Sequence, residues 1–138
     1  MSDLYYIKNI KNARIESTML GREDHGIMTF MIFVRFDSAG CGVGGYAIDR
    51  YDKDTKSRVF AASGLEAISK ILDVVGVDKW EDLPGKYIRF VDNGWGSTID
   101  EIGNIMEDKW FNLRRSHERF LCGMLRRIFC KIHQGIQR

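Results

Sequence analysis

The sequence contains only one proline and no apolar segment long enough to cross a membrane. A membrane-spanning helix needs about 20 predominantly apolar residues, and no run among the 138 residues approaches this length. The N-terminal residues MSDLYYIKNIKN also lack the apolar stretch of a secretory signal peptide. The sequence therefore predicts a cytoplasmic protein that does not associate with membranes.

Cysteine is scarce as well, and its three positions, Cys41, Cys122 and Cys130, form no C-x-x-C pair. An odd number of isolated cysteines does not support a disulfide framework or a structural zinc site. Cys41 and His25 could act as nucleophile and base, but the sequence supplies no third group to orient the histidine. We therefore expect no metal, no cofactor and no enzymatic activity.

Glycine, in contrast, occurs 14 times, which favours a twisted or bulged sheet. Residues 40–45 read GCGVGG and match the dinucleotide fingerprint G-x-G-x-x-G. That fingerprint requires a helix after the glycines, whose N-terminal N–H groups bind the phosphates. The following residues, YAIDRY, alternate with a strand period of two. We therefore predict that Gly42, Gly44 and Gly45 are structural and allow a strand to bend.

Local sequence patterns predict five strands. The second contains the nearly continuous apolar run IMTFMIFVRF, which is typical of a strand buried on both faces, and it should form a hairpin with the first across REDHG. The last strand carries an irregularity at Gly103, although a short helix also fits that segment. The predicted strands comprise residues 6–20, 27–36, 46–51, 86–91 and 98–110.

One helix is predicted over residues 63–76. Ser63 and Glu66 have the spacing of a capping box, and Gly76 is the expected helix stop. An apolar stripe that includes Leu65 and Ile68 should pack on the sheet. These elements predict an α+β fold, with a curved, mostly antiparallel sheet or small barrel, one packed central helix and an amphipathic C-terminal helix.

The C-terminal segment differs from the rest of the chain in charge. Residues 112–138 carry seven basic side chains against Glu118 alone, a net charge of +6, which leaves 2 − 6 = −4 for residues 1–111. Apolar residues between Arg114 and His133 recur at helical spacing. We therefore divide the chain into an α+β domain, 1–111, and a basic amphipathic tail, 112–138. The tail could pack on its own domain, form a homodimer, enter a partner's groove or bind lipid or nucleic acid.

Aromatic and basic residues are interspersed in the α+β domain, as in stacking platforms for single-stranded nucleic acid. The acidic balance of residues 1–111 argues against that use, because phosphate binding depends on net positive charge. Aromatic residues packed in the core are the more ordinary interpretation. If some are exposed, Arg50, Tyr51 and Trp95 suit a protein-binding hot spot.

Four segments carry a resemblance to a known family. They are IKNARIESTMLGREDHGIMTF, GVGGYAIDRYDKD, GVDKWEDLPGKYIRF and IGNIMEDKWF. Over residues 8–111 the chain resembles a family of short proteins encoded by bacteriophages and prophages, with GGY-x-x-D, GV-x-x-WEDL-x-GKY and KWF motifs. The resemblance implies no catalytic residues. Small accessory proteins of such phage regions include inhibitors of bacterial immunity, anti-CRISPR proteins among them.

The resemblance thus implies a non-enzymatic, phage-derived binding protein that inhibits a bacterial defence system, of anti-CRISPR type, through protein-protein contact in the host cytoplasm. The alternative is a nucleic-acid-binding accessory protein that uses the basic C-terminal helix. A homodimer through this helix is a further possibility. The candidate partner-binding residues are Arg50, Tyr51, Trp95, Arg114, Arg115, Arg119, Arg126 and Arg127.

Overall fold

The computed structural model describes residues 8–115, which form a six-stranded antiparallel sheet, a two-stranded sheet and one α-helix. The large sheet has the order β3-β2-β1-β6-β7-β8 and remains open, with β3 and β8 as its edges. The predicted α+β class is therefore confirmed, whereas the small barrel is not formed. The predicted C-terminal helix lies largely outside the described residues. The elements are β1 Ile10–Glu23, β2 Ile27–Phe36, β3 Ala39–Ala47, β4 Asp49–Asp52, β5 Ser57–Phe60, α1 Ala62–Val75, a short 3-10 helix Trp80–Asp82, β6 Tyr87–Val91, β7 Glu101–Asn104 and β8 Trp110–Asn112.

The sheet consists of two meanders joined by one ladder. Strands β1, β2 and β3 follow one another through short turns, and β6, β7 and β8 follow one another through the longer connections 92–100 and 105–109. The first five residues of β1 pair with β6, from Ile10 opposite Val91 to Arg14 opposite Tyr87. The predicted hairpin between β1 and β2 is confirmed, and its turn contains Gly26 with a φ of 82°.

Strand β2 has the predicted bounds but not the predicted burial. Phe30, Ile32 and Val34 are buried, whereas Phe33 is 43% exposed and Arg35 is also exposed. Side chains alternate between the two faces of a strand, so only one face of β2 belongs to the core. The expectation of a strand buried on both faces was therefore wrong.

The predicted structural glycines lie inside β3. The β2–β3 ladder shifts register between Thr29 and Met31, and Gly44 faces Met31 with a φ of 115°. A Cβ on Gly44 would lie 2.7 Å from the carbonyl oxygen of Phe30. The glycines therefore adjoin a β-bulge, and the next helix begins only at Ala62.

Helix α1 begins before the predicted residue and is capped differently. Its N-cap is Ala61, which has extended backbone angles, and no side chain caps it, so the Ser63 capping box was wrong. Gly76 ends the helix with a φ of 84°, and its N–H donates to the Leu72 carbonyl, as predicted. Leu65 is 72% exposed and does not belong to the buried stripe.

The segment 98–110 forms neither one strand nor a helix. It contains β7, a turn and the start of β8, which pair so that Gly103 lies opposite Trp110. The ring of Trp110 lies against Gly103, where a Cβ would approach its ring carbons to 2.7 Å. At Gly103, the position of the predicted irregularity, strands β7 and β8 pair and the ring of Trp110 packs closely against the backbone.

The core lies between one face of the large sheet and helix α1. Leu113 extends this core past β8, and its N–H donates to the Asp100 carbonyl at 2.8 Å. The helix packs chiefly against β7 and β8. The fully or nearly fully buried residues include Ala13, Ile15, Phe30, Ile32, Val34, Val43, Ile71, Leu83, Ile88, Phe90, Ile102, Phe111 and Leu113.

Candidate interaction surfaces

Within residues 8–115, the face of the large sheet opposite helix α1 carries exposed side chains. Directly opposed residues in an antiparallel ladder share a face, and Arg14 opposes both Arg35 and Tyr87. Phe33 and Met31 share this face because they alternate with the buried residues of β2. We call the surface formed by Arg14, Met31, Phe33, Arg35 and Tyr87 the open face.

Phe33 and Tyr87 are the aromatic centres of the open face. Phe33 pairs with Ser17 on one side and Gly42 on the other, so both neighbouring side chains are small. Tyr87 is 57% exposed and stands beside Arg14. Gly42 is close enough to Met31 that a Cβ there would lie 3.0 Å from its sulfur. Because Ser17 is small and Gly42 has no side chain, the strands on both sides of Phe33 leave its ring accessible.

The arginines of the open face differ in their surroundings. Arg35 Nε donates to Glu16 Oε1 at 2.5 Å, and this hydrogen bond lowers the pKa of Glu16. Arg14 is exposed. Farther along the sheet, Arg89 donates to the carbonyls of Asn104 and Glu107 at 2.6 and 2.7 Å. Arg89 is thus held by the β7–β8 turn, whereas Arg14 faces solvent.

A cleft of about 700 Å³ opens on the other side of the sheet, at the end of the core. It lies between the β2–β3 turn and the loop of residues 92–97. The rings of Phe36 and Phe90 form its apolar wall, with centroids 4.7 Å apart. Trp95 also lines it yet is 100% exposed. We call this site the Trp95 cleft.

Local hydrogen bonds shape the loop that carries Trp95. Asp92 Oδ1 accepts the Gly94 N–H at 2.9 Å, and the Ser97 N–H donates to the Gly94 carbonyl at 3.1 Å. Gly94 and Gly96 have φ values of 105° and 76°, a backbone conformation that glycine adopts most easily. Trp95 therefore lies between two positions that favour glycine. Lys11 Nζ lies 2.9 Å from Asp92 Oδ2, and this bond raises the pKa of Lys11 and lowers that of Asp92.

The predicted pair Arg50 and Tyr51 lies on the two-stranded sheet of β4 and β5. Arg50 is opposite Val59 and Tyr51 is opposite Arg58, so the two side chains point to opposite faces. The hairpin is pinned by Asp49, whose Oδ2 accepts Arg58 Nε at 2.8 Å. That contact lowers the pKa of Asp49. The structure therefore does not combine Arg50 and Tyr51 into one surface.

Arg114 and Arg115 are exposed at the end of the described chain. Arg114 Nη1 lies 3.9 Å from Asp100 Oδ2. The Arg115 N–H donates to Asn112 Oδ1 at 2.8 Å, the contact of a helix N-cap. Arg119, Arg126 and Arg127 lie outside the described residues.

Cys41 and His25 are far apart along the sheet. Cys41 pairs with Val34, whereas His25 precedes Ile27 at the opposite end of β2. At about 3.3 Å per residue, the strand from Ile27 to Val34 spans roughly 23 Å. His25 Nδ1 instead lies 2.7 Å from Asp24 Oδ1. The structure does not bring these two residues together as nucleophile and base.

The sequence interpretation missed the open face. Phe33 belongs to the segment that the sequence predicted to be a strand buried on both faces. The available signal was Arg35, because a charged residue two positions from Phe33 places that whole side of β2 toward solvent. Pairing Arg14 with Tyr87 required knowing that β1 and β6 are neighbours.

Within residues 8–115, no three His, Cys, Asp or Glu side chains are grouped so that they could hold a metal ion. In the same part of the chain, no helix has the length and apolar character needed to cross a membrane. Comparison with protein-family models, with curated proteins and with solved structures found no match.

Proposed function

We propose that this protein is a non-enzymatic binding protein whose open face contacts a protein partner. The observation that carries the proposal is the exposure of Phe33 and Tyr87 beside Arg14 on a sheet face whose opposite side forms the core. Tyrosine and arginine are enriched in the energetic centres of protein interfaces, and interface cores are rich in aromatic residues and methionine.

The arrangement of the open face supports a protein partner in two further ways. Met31 is half-buried beside Phe33, which makes an apolar centre, while exposed Asn12, Ser17 and Glu16 provide polar groups around it. An apolar centre with a polar rim is the usual anatomy of a protein interface. The ladder also fixes the backbone of these strands, so little backbone freedom is lost on binding.

The resemblance to phage-encoded accessory proteins supports the choice of partner. We propose that the partner is a protein complex of a bacterial defence system, of CRISPR-Cas type, in the cytoplasm of the host cell. Binding would occupy a surface that the complex needs for its own function. A homodimer formed through the C-terminal segment is compatible with this proposal, because the open face belongs to the sheet.

A nucleic-acid ligand is the second candidate. It is favoured by Arg14 and Arg35, which are opposed on the open face, and by the basic residues from Arg114 onward. Arg35 is already paired with Glu16, however, and residues 8–115 contain 16 basic and 17 acidic side chains, a net charge of 16 − 17 = −1. Because phosphate binding grows with net positive charge, this ligand would depend on the tail.

Affinity capture from bacterial lysate, with and without nuclease, tests the proposal in the full-length protein. We expect a captured protein complex that survives nuclease treatment. In the double variant Phe33→Ser, Tyr87→Ser, affinity for that complex should fall at least about tenfold, since each hot-spot side chain contributes about 1–2 kcal/mol. Binding can be measured by surface plasmon resonance on the captured complex.

The matched control is the double variant Phe60→Ser, Met106→Ser, which removes two exposed apolar side chains that lie outside the open face. Circular dichroism and urea denaturation establish that both double variants fold. If the first does not, the charge reversal Arg14→Glu changes the same face at an exposed position. Equal affinity of open-face and control variants, or loss of all capture after nuclease, would overturn the proposal.

A further inference from the structure

The Trp95 cleft has the size and lining of a binding site and faces away from the open face. Its volume of about 700 Å³ lies within the range of about 300–1,000 Å³ that is common for ligand pockets. Phe36, Phe90 and Ile99 give it an apolar floor. Trp95 lines the cleft and is fully exposed, so its indole ring is available for contact with a ligand.

Three charged groups line the cleft, and their sum is negative. Lys11 contributes one positive charge, and Asp37 and Asp92 contribute two negative charges, a net charge of −1. The pKa of Lys11 is raised first by its hydrogen bond to Asp92 and further by the charge of Asp37. Asp37 is exposed in the β2–β3 turn. The cleft therefore favours cations and disfavours the phosphates of nucleic acid.

Lys11 already shows how a cation is held at this site. Its Nζ atom lies 2.9 Å from Asp92 Oδ2 and 5.7 Å from the centroid of the Phe36 ring. A carboxylate and an aromatic ring thus both attract one cation. Asp37 and Trp95 add a second carboxylate and a second aromatic ring to the lining of the same cleft, and both are exposed.

We propose that the Trp95 cleft binds an arginine side chain of a partner polypeptide. The guanidinium stacks on the indole of Trp95 and pairs with the carboxylate of Asp37, while the aliphatic part of the side chain lies on Phe36. Arginine fits better than lysine because its planar cation both stacks and forms two parallel hydrogen bonds with a carboxylate. The inference rests on the proposed function only in taking the ligand to be a protein.

Nuclear magnetic resonance of the full-length, ¹⁵N-labelled protein tests this inference without the natural partner. The indole N–H signal of Trp95 is assigned by its absence in Trp95→Phe. The probe is a five-residue peptide, blocked at both ends, with one central arginine. Its matched control carries citrulline, which has nearly the same shape but no charge. We expect a saturable shift of the Trp95 signal with a Kd on the order of 1–10 mM for the arginine peptide, a weak binding energy of about 3–4 kcal/mol.

Two variants complete the test. Asp37→Asn should weaken binding of the arginine peptide at least threefold, and Trp95→Ala, followed through the backbone signals of Gly94 and Gly96, should abolish it. Both positions are exposed, so folding should be preserved. The inference is overturned if the citrulline peptide binds equally well, if no signal shifts at 20 mM peptide, or if a single-stranded oligonucleotide shifts Trp95 at lower concentration.

The same peptide separates this inference from the proposed function. The open-face variant Phe33→Ser, Tyr87→Ser should bind the arginine peptide with unchanged affinity, because its substitutions lie on the opposite side of the sheet. Loss of the partner complex with retained peptide binding supports the cleft and the open face as independent sites. Retained binding of the complex by an open-face variant contradicts the proposed function alone.

Discussion

At the scale of single residues, Gly44 fills a position that a side chain cannot enter. Its φ of 115° lies where L-residues with a Cβ are strained. A Cβ would also lie 2.7 Å from the Phe30 carbonyl oxygen and 2.8 Å from a carbon of the Phe30 ring. Phe30 is buried in the core, so neither contact is relieved by moving a flexible surface group.

We predict that Gly44→Ala lowers the free energy of unfolding by at least about 2 kcal/mol, since backbone strain and the overlap with Phe30 each cost about 1–3 kcal/mol. The matched control is Gly40→Ala on the same strand, where the nearest atom would lie at an ordinary 3.6 Å. Urea denaturation of both variants measures the difference. If Gly44→Ala loses no more stability than Gly40→Ala, the bulge relaxes around the new side chain and our explanation of the glycine is wrong.

Single residues also show where sequence patterns succeed and fail. The prediction that Gly44 has a structural role, and not a phosphate-binding one, needed only the period of two in the residues that follow it. Ser63 was misassigned as N-cap because tertiary packing sets the start of α1: Gly64 lies so close to Ile48 that a Cβ would be 2.0 Å from its carbonyl oxygen. No local pattern contains that contact, since Ile48 lies between β3 and β4 and is sixteen residues before Gly64.

At the scale of elements, Asn104 connects the end of helix α1 with the β7–β8 turn. Its Nδ2 donates to the Val74 carbonyl in the last turn of the helix at 2.8 Å. Its Oδ1 accepts the N–H groups of Met106 and Glu107, both at 2.8 Å. One half-buried amide therefore satisfies a helix carbonyl and builds the turn between two strands.

We predict that Asn104→Ala lowers the free energy of unfolding by about 2–3 kcal/mol, because three hydrogen bonds are lost and polar groups remain without partners. Asn104→Asp keeps both acceptor contacts but replaces the donor to Val74 by a carboxylate. Its loss should be smaller at a pH low enough to protonate that carboxylate, since the acid can donate again. Urea denaturation of both variants at pH 7 and pH 4 tests this, with Asn93→Ala in the exposed 92–97 loop as control. A pH-independent effect of Asn104→Asp would contradict the donor's role.

The same turn explains the error over residues 98–110. The segment from Ile105 to Lys109 contains no glycine or proline, the residues that most clearly mark a turn, and it was read as continuous strand. The chain turns because the Asn104 side chain replaces a backbone partner for two N–H groups. Asparagine was thus the available signal, but an isolated asparagine predicts a turn only weakly.

At the scale of the whole molecule, the order of the elements along the chain could be predicted better than the pairing of the strands in the sheet. Local sequence patterns predicted the first two strands, their hairpin, the helix and its glycine stop. Nothing local indicated that β1 would pair with β6, which lies more than sixty residues later in the chain. The open face depends on that pairing, so its residues could be proposed individually from the sequence but not as one surface.

The β1–β6 ladder, which among residues 8–115 joins the strands farthest apart in the sequence, has a consequence for folding kinetics. Within each meander the strands are joined by connections that are local in sequence, residues 92–100 being the longest, whereas joining Ile10–Arg14 to β6 closes a loop that contains most of the domain. Closing a long loop costs more entropy than closing a short one, so we expect the β1–β6 ladder to form after the main folding barrier.

Stopped-flow kinetics of two core substitutions tests this order. Ile32→Val, within the first meander, should slow folding, with a φ-value above about 0.5, whereas Ala13→Gly, in the β1–β6 ladder, should give a φ-value below about 0.3. Equal φ-values would contradict the order. If it holds, substitutions that weaken the junction between the meanders shorten the lifetime of the folded protein without delaying its formation.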